Sequence, residues 1–250
     1  MNAGLAALRA ALDAAPTPVS FWWRDDDTGA DDPALDGLLG LASELELPLA
    51  LAVVPAWLAA ATVERISRVD DVWVLQHGWA HVDHARDGER KIELGGTIAW
   101  ERLCAQLDRG RATLSEAFGP RFLPVMVPPW NRIDPCIERQ LPASGYLAIS
   151  ATAELGRDPS RDARFHRDIH LDVMSWKPSP TMRPLEALAT ALARQIAART
   201  DERHAEEPIG LMTHHQVTGP PGMAILRELL GMLRAHPRAC FLDPRSLLGH

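Results

Sequence analysis

Val72-Trp73-Val74-Leu75-Gln76-His77-Gly78-Trp79-Ala80-His81-Val82-Asp83-His84 runs from an apolar stretch straight into two histidines four residues apart. Residues 72–75 have the length and β-forming composition of a strand, which is expected to end at His77. On a helical turn residues i and i+4 share one face, so the spacing predicts that both imidazoles can hold one metal ion. Two histidines seldom complete such a site. A further hard ligand and an open position for water or substrate are needed, and the triplet Asp25-Asp26-Asp27 is the obvious source.

Working outward, the same order of strand, polar end and helix recurs. Residues 1–15 read as a helix with Leu5, Leu8 and Leu12 on one face. Residues 19–23 are rich in β-formers and predict a first strand running into Arg24 and the aspartates. Asp32-Pro33 opens a helix carrying Leu35, Leu38, Leu39 and Leu45. The unbroken apolar run 49–54 predicts a strand covered on both faces, and 55–68 a helix. Gly95-Gly96-Thr97 precedes a long helix that stops at Gly119-Pro120. Residues 122–127 predict a strand ended by Pro128-Pro129-Trp130-Asn131, followed by a short helix over 135–140 and a strand over 146–150. The arginine-rich stretch 154–167 reads as a surface excursion. Further strands are expected at 170–173, 209–212 and 240–242, with helices at 184–199 and 223–235.

Strands alternating with helices imply parallel pairing through crossovers. Some seven units in 250 residues predict an α/β fold: a single distorted (β/α)7-8 barrel over 1–250. The unusual polar residues all fall just past strand ends: Asp25 to Asp27, His77 and His81, Trp130, Asp172 and His214. That rim is where such barrels place active sites, although an open doubly wound sheet also gathers ligands at its strand ends.

Composition narrows the function classes. A hydrophobic fraction of 46%, with no apolar run of bilayer-spanning length, argues against membrane insertion. A net charge of -7 supplies no concentrated basic face for nucleic acid. Arg9 and Asp13 interrupt the first helix, which does not read as a signal peptide, so a cytoplasmic location is expected. Cys104, Cys136 and Cys240 are odd in number and far apart; they predict buried or half-buried thiols, with neither a disulfide framework nor a thiolate metal site.

Asp26-Asp27, His77-x-x-x-His81, Pro128-Pro129-Trp130 and Leu211-Met212-Thr213-His214 occur in the order and approximate spacing of the motifs of polysaccharide deacetylases, carbohydrate esterase family 4. The chain resembles that family from about residue 19 to 215. The resemblance implies a distorted (β/α) barrel and a divalent metal, zinc first, with cobalt, nickel or manganese as alternatives. It implies Asp26 as general base, Asp27, His77 and His81 as metal ligands, the Trp130 backbone N–H as oxyanion donor and His214 as general acid. Asp25 admits the same pattern one residue earlier. The implied reaction is hydrolysis of an acetamide on an N-acetylated sugar or sugar precursor.

Where the family's third motif begins with an arginine that positions the base, this chain has Val127; Arg24 and Arg132 are the candidate substitutes. Asp172 is expected to orient His214 or to be a plain strand-end carboxylate. Trp79 and Trp130, lying inside the motifs, are expected to line the substrate pocket. His84 and His215 are expected to lie behind the site or on the surface, and the His166/His170 spacing reads as coincidence. Two other functions fit the sequence: a non-catalytic carbohydrate-binding relative, and a magnesium-dependent phosphoryl-transfer enzyme using the aspartate triplet.

Overall fold

The computed structural model describes residues 2–153, 165–200 and 207–248. Helix α1 (Ala3–Ala14) leads into β1 (Val19–Thr28), α2 (Ala34–Leu45), β2 (Leu49–Val53), α3 (Ala60–Ser67) and β3 (Val72–His77). After a long loop come α4 (Trp100–Phe118), β4 (Phe122–Val127), α5 (Pro135–Glu138), β5 (Ala148–Ile149) and β6 (Ile169–Asp172). A small antiparallel hairpin, β7 (Met174–Ser175) and β8 (Thr181–Met182), precedes α6 (Leu185–Ala197), β9 (Ile209–Thr213), α7 (His215–Arg234) and β10 (Ala239–Phe241).

The principal sheet is parallel, in the order β5-β4-β3-β2-β1-β9-β6. One edge of β1 is shared: β10 pairs with its first residues and β2 with its last. The two ends of the sheet approach each other. Ile149 bridges His166, Thr152 bridges Ile169, and the Ile169 N–H donates to the Ala151 carbonyl at 2.7 Å. The expected α/β barrel is therefore present, closed at that seam by a few bridges rather than a full ladder.

Strand alternation divides the core into two layers. Phe21, Trp23, Leu49, Leu51, Val53, Val72, Val74, Ile209 and Leu211 face the helices, where α1, α2, α6 and α7 supply leucines. Trp22, Ala50, Ala52, Leu75, Val125, Val127 and Met212 fill the barrel interior. Each large buried side chain contributes about 1.5–3 kcal/mol relative to exposure.

Several elements differ from the sequence expectation. The first strand continues through the aspartates to Thr28, because partners inside the protein satisfy its charged residues. Residues 55–68 split into a 3-10 turn (Pro55–Trp57) and α3. Helix α7 starts at His215, eight residues early, with Gly219 at φ 61 just before Pro220 and Pro221. The hairpin was not expected. Of the stretch 154–167, all but its last three residues lies outside the described residues, and His166 in that remainder helps close the barrel. Cys136 and Cys240 are exposed rather than buried, since both fall on outward faces of short elements.

Candidate active site

The pleat of β1 sorts the acidic triplet. Trp22, Arg24 and Asp26 point into the barrel, while Phe21, Trp23 and Asp25 point to the helix layer. Asp25 is fully buried there: its Oδ2 accepts from the Thr213 hydroxyl at 2.6 Å and the His215 N–H at 3.0 Å, and His215 Nδ1 closes on Oδ1. It ties β1 to β9 and α7. Asp27 follows Asp26 directly and would normally face away from it. A register shift between β1 and β2 and a φ of 67 at Asp27 turn its carboxylate back toward the site.

His77 ends β3, and the loop beyond it delivers His81. This is not a helical turn: Gly78 and His81 both adopt positive φ, at 56. Buried Glu93 holds the loop, accepting from the N–H groups of Ala80 at 2.7 Å and Trp79 at 3.2 Å. A Cβ on Gly78 would lie 2.0 Å from a Glu93 oxygen, so only glycine fits. Both histidines present Nε2 to the same Asp27 oxygen, at 3.2 Å and 3.3 Å. The Val127 carbonyl, 2.9 Å from His77 Nδ1, accepts a hydrogen bond from that nitrogen, and Nε2 faces the carboxylate.

The three donor atoms lie within 4.8 Å of one another, a carboxylate-bis-imidazole set suited to a borderline divalent cation. The electrostatics favour positive charge at this spot. Burial alone would raise the Asp27 pKa, but the His77 hydrogen bond and the nearby histidines hold it far below the usual carboxylate range. Burial would depress His77, yet Asp27 and Asp26 push it up. Burial and the charge of His77 push His81 down, favouring the neutral imidazole that a metal binds.

Of the two candidate substitutes for an arginine at Val127, Arg24 is the one that contacts Asp26. Its Nη2 donates to Asp26 Oδ2 at 2.9 Å and to Asn131 Oδ1 at 3.1 Å. Nη1 donates to the carbonyl and hydroxyl of Ser150 at 2.9 Å and 2.6 Å. Nε sits 2.7 Å from Asp26 Oδ1 but off the hydrogen-bond axis, so the contact is chiefly ionic. The guanidinium thus crosses the barrel interior from β1 to the ends of β4 and β5. Arg132 points elsewhere, donating to the Lys91 carbonyl, because its backbone leaves the site after two consecutive positive-φ residues, Trp130 and Asn131.

His214 caps β9 with its Nδ1 buried and, among the described residues, without a hydrogen-bond partner, and its ring lies edge-on to Trp176, centroids 4.6 Å apart. Asp172 does not reach His214 by a hydrogen bond; it accepts from Trp176 Nε1 at 2.7 Å, and that same indole is the ring edge-on to His214. Burial pushes the Asp172 pKa up, against the Trp176 bond. The rings flanking His81 belong to Trp130, at 4.4 Å, and Trp57, at 5.6 Å. Trp79 instead turns its ring under Arg109 of α4. Trp57, Glu93, Asn131 and Ser150 escaped sequence reasoning; of these, only Trp57, just after the end of β2, carried a visible signal. His166 and His170 serve different partners, Glu138 and the Gly210 N–H.

The Asp25–His215 pair gives a pH signature. Burial lowers the His215 pKa and Asp25 raises it, with the net effect upward. A raised folded-state pKa contributes stability in full below the unfolded value of about 6.5, and that contribution is lost as pH rises through the folded value. The stability gap between wild type and His215→Gln, read from urea midpoints, is expected to be widest near about pH 5.5 and to narrow at higher pH.

No family model and no curated protein matches the sequence. Solved structures do. A protein named as a polysaccharide deacetylase from Mycobacterium smegmatis superposes with a TM-score of 0.63 at 18% identity, over 95% of this chain and 94% of that one. A family 4 acetyl xylan esterase from Clostridium thermocellum, in complex with a cobalt ion, gives 0.59 at 14%, over 92% and 90%. A family 4 carbohydrate esterase from Streptomyces lividans, in complex with acetate, gives 0.57 at 13%, over 91% and 93%. The chain has the fold of polysaccharide deacetylases and family 4 carbohydrate esterases.

Proposed function

We propose that this protein is a metal-dependent hydrolase that removes an acetyl group from an N-acetylated sugar or a related amide. The observation that carries the reading is the Asp27, His77 and His81 cluster set beside an arginine-held Asp26 at the strand ends of this fold. Those three residues would hold the cation, zinc first and cobalt, nickel or manganese as alternatives. When bound, such an ion lowers the pKa of a water and polarises the acyl oxygen.

The chain's own groups supply the rest. Asp26 accepts the proton of the attacking water while Arg24 fixes its carboxylate. The Trp130 N–H, aimed by the strained turn after Pro129, donates to the developing oxyanion. His214, braced by Trp176, gives a proton to the leaving amine. Products are acetate and a free amino sugar. The pleat weighs against phosphoryl transfer by the triplet, since Asp25 faces away and Asp26 is occupied by Arg24. The presence of both Asp26 and His214 weighs against a non-catalytic binder.

The reading includes one domain over 1–250, acting in the cytoplasm on a sugar precursor rather than mature polymer. No helix among the described residues is long and apolar enough to cross a membrane. The test is acetate release from N-acetylated sugars with metal analysis of the same preparation. Near-stoichiometric metal and chelator-sensitive, metal-restored turnover are expected; metal-free protein whose activity ignores chelators would end the proposal.

A further inference from the structure

Between β3 and α4 lies a buried amide that the chemistry proposed above does not use. Val72, Val74 and Gln76 share the helix-facing side of β3, and the third of them is polar although fully buried. A buried polar group is costly unless its hydrogen bonds are made, and both polar atoms of this amide have partners. Gln76 Nε2 donates to the Gly78 carbonyl at 3.0 Å and to the Leu107 carbonyl of α4 at 3.1 Å. Its Oε1 accepts from the hydroxyl of Tyr146, itself buried, at 2.9 Å. A flipped amide would set its oxygen against two carbonyls, so the orientation is fixed. Of the two acceptors, Leu107 lies mid-helix, where backbone N–H groups already serve carbonyls, whereas Gly78 lies in a loop.

The Gly78 bond completes a set. The Gly78 N–H donates to the Val127 carbonyl at 3.2 Å, the Ala56 N–H donates to the Trp79 carbonyl at 2.9 Å, and Glu93 accepts from the N–H groups of Trp79 and Ala80. The segment between His77 and His81 is thus tied to β4, to the turn Pro55–Trp57 after β2 and, through Gln76, to α4. Helix α4 comes close enough for this at Gly110. A Cβ there would lie 2.4 Å from Gln76 Nε2 and 3.0 Å from Pro55 Cγ, so a larger residue would press on two of the ties at once.

We propose that Gln76, steadied by Tyr146 and given room by Gly110, is a positioning residue that fixes the loop carrying His81 and thereby the convergence of the His77 and His81 imidazoles. This deepens the metal-dependent reading and rests on it only for what the two imidazoles bind; the hold on the loop stands on the hydrogen bonds alone.

Gln76→Leu would strand the Tyr146 hydroxyl in the core, so the test uses Tyr146→Phe and Gly110→Ala. The control is Gly37→Ala, at an exposed glycine of α2 whose Cβ would meet nothing within 4 Å. Three properties are measured on folded protein: hydrogen exchange of the Trp79 and Ala80 amides without metal, the affinity and absorption spectrum for added cobalt, and the urea midpoint. Tyr146→Phe and Gly110→Ala are both expected to exchange those amides faster and to bind cobalt about tenfold more weakly, with a shifted spectrum, while the control matches wild type. Glycine to alanine within a helix is otherwise favourable, so a loss at position 110 reports the pressure on Gln76 and Pro55. Exchange, affinity and spectrum unchanged in both variants, whatever the urea midpoint does, would overturn the positioning role and leave the hydrolase reading intact. Faster exchange in the variants of a wild type that binds no cobalt would keep the positioning role and overturn the metal-dependent reading.

Discussion

Asp27→Ala is expected to remove metal and activity together, lowering kcat/KM by about a thousandfold or more, equivalent to roughly 4 kcal/mol of barrier. The size follows from what Asp27 does. It is the sole carboxylate of the three-donor cluster, and its charge raises the His77 pKa and so favours a positive charge there. Without it two imidazoles remain, one already pushed toward neutrality, and the carboxylate still nearby, Asp26, is held by Arg24. Metal content after gel filtration and acetate-release kinetics measure both effects. Asp25→Ala is the control that fixes the register: it is expected to lower stability through Thr213 and His215 while the folded fraction still retains metal. The opposite pattern, metal lost from Asp25→Ala and kept by Asp27→Ala, would show the ligand assignment to be displaced.

Arg24→Met is expected to cost about 3–5 kcal/mol of folding stability, the range for removing one partner of a buried ion pair, and to depress kcat strongly. Arg24 is fully buried, and among the described residues four oxygen acceptors depend on it: Asp26 Oδ2, Asn131 Oδ1, and the carbonyl and hydroxyl of Ser150. Methionine matches the stem but leaves the Asp26 charge uncompensated in the barrel interior. The second mutation Asp26→Asn removes that stranded charge. The double variant is therefore expected to recover part of the lost stability and none of the activity, a coupling that chemical denaturation and acetate release can read as a mutant cycle. Stability unchanged in the single variant would mean that the buried pair does not hold the base.

Much of this was legible in the chain. Apolar runs of strand length between amphipathic helices give the barrel, and strand ends place Asp26, Asp27, His77, His81, Trp130 and His214 on one rim. What could not be read depends on phase and on distant partners. Period-two alternation would set Asp26 and Asp27 on opposite faces, and only the positive φ and register shift at Asp27 bring them together. The four-residue spacing of His77 and His81 suggested a helical face; the loop achieves the same convergence through Gly78 and a carboxylate at position 93, which no local pattern signals. Ser150 and Asn131 matter only because Arg24 reaches across the barrel to them. Asp172 sits near His214 in charge terms, but the indole of Trp176 lies between, a contact visible only once the β6–β7 corner is built.

Arg24 and Asp26 lie two residues apart on one strand, with both side chains inside the barrel. Where base and guanidinium stand on separate strands, each can be lost without the other, and the pair persists only under joint selection. Here they are inherited as a single tripeptide. An exchange of β1 as a unit carries both charges or neither, while the Val127 side chain on β4 serves the packing of the barrel interior.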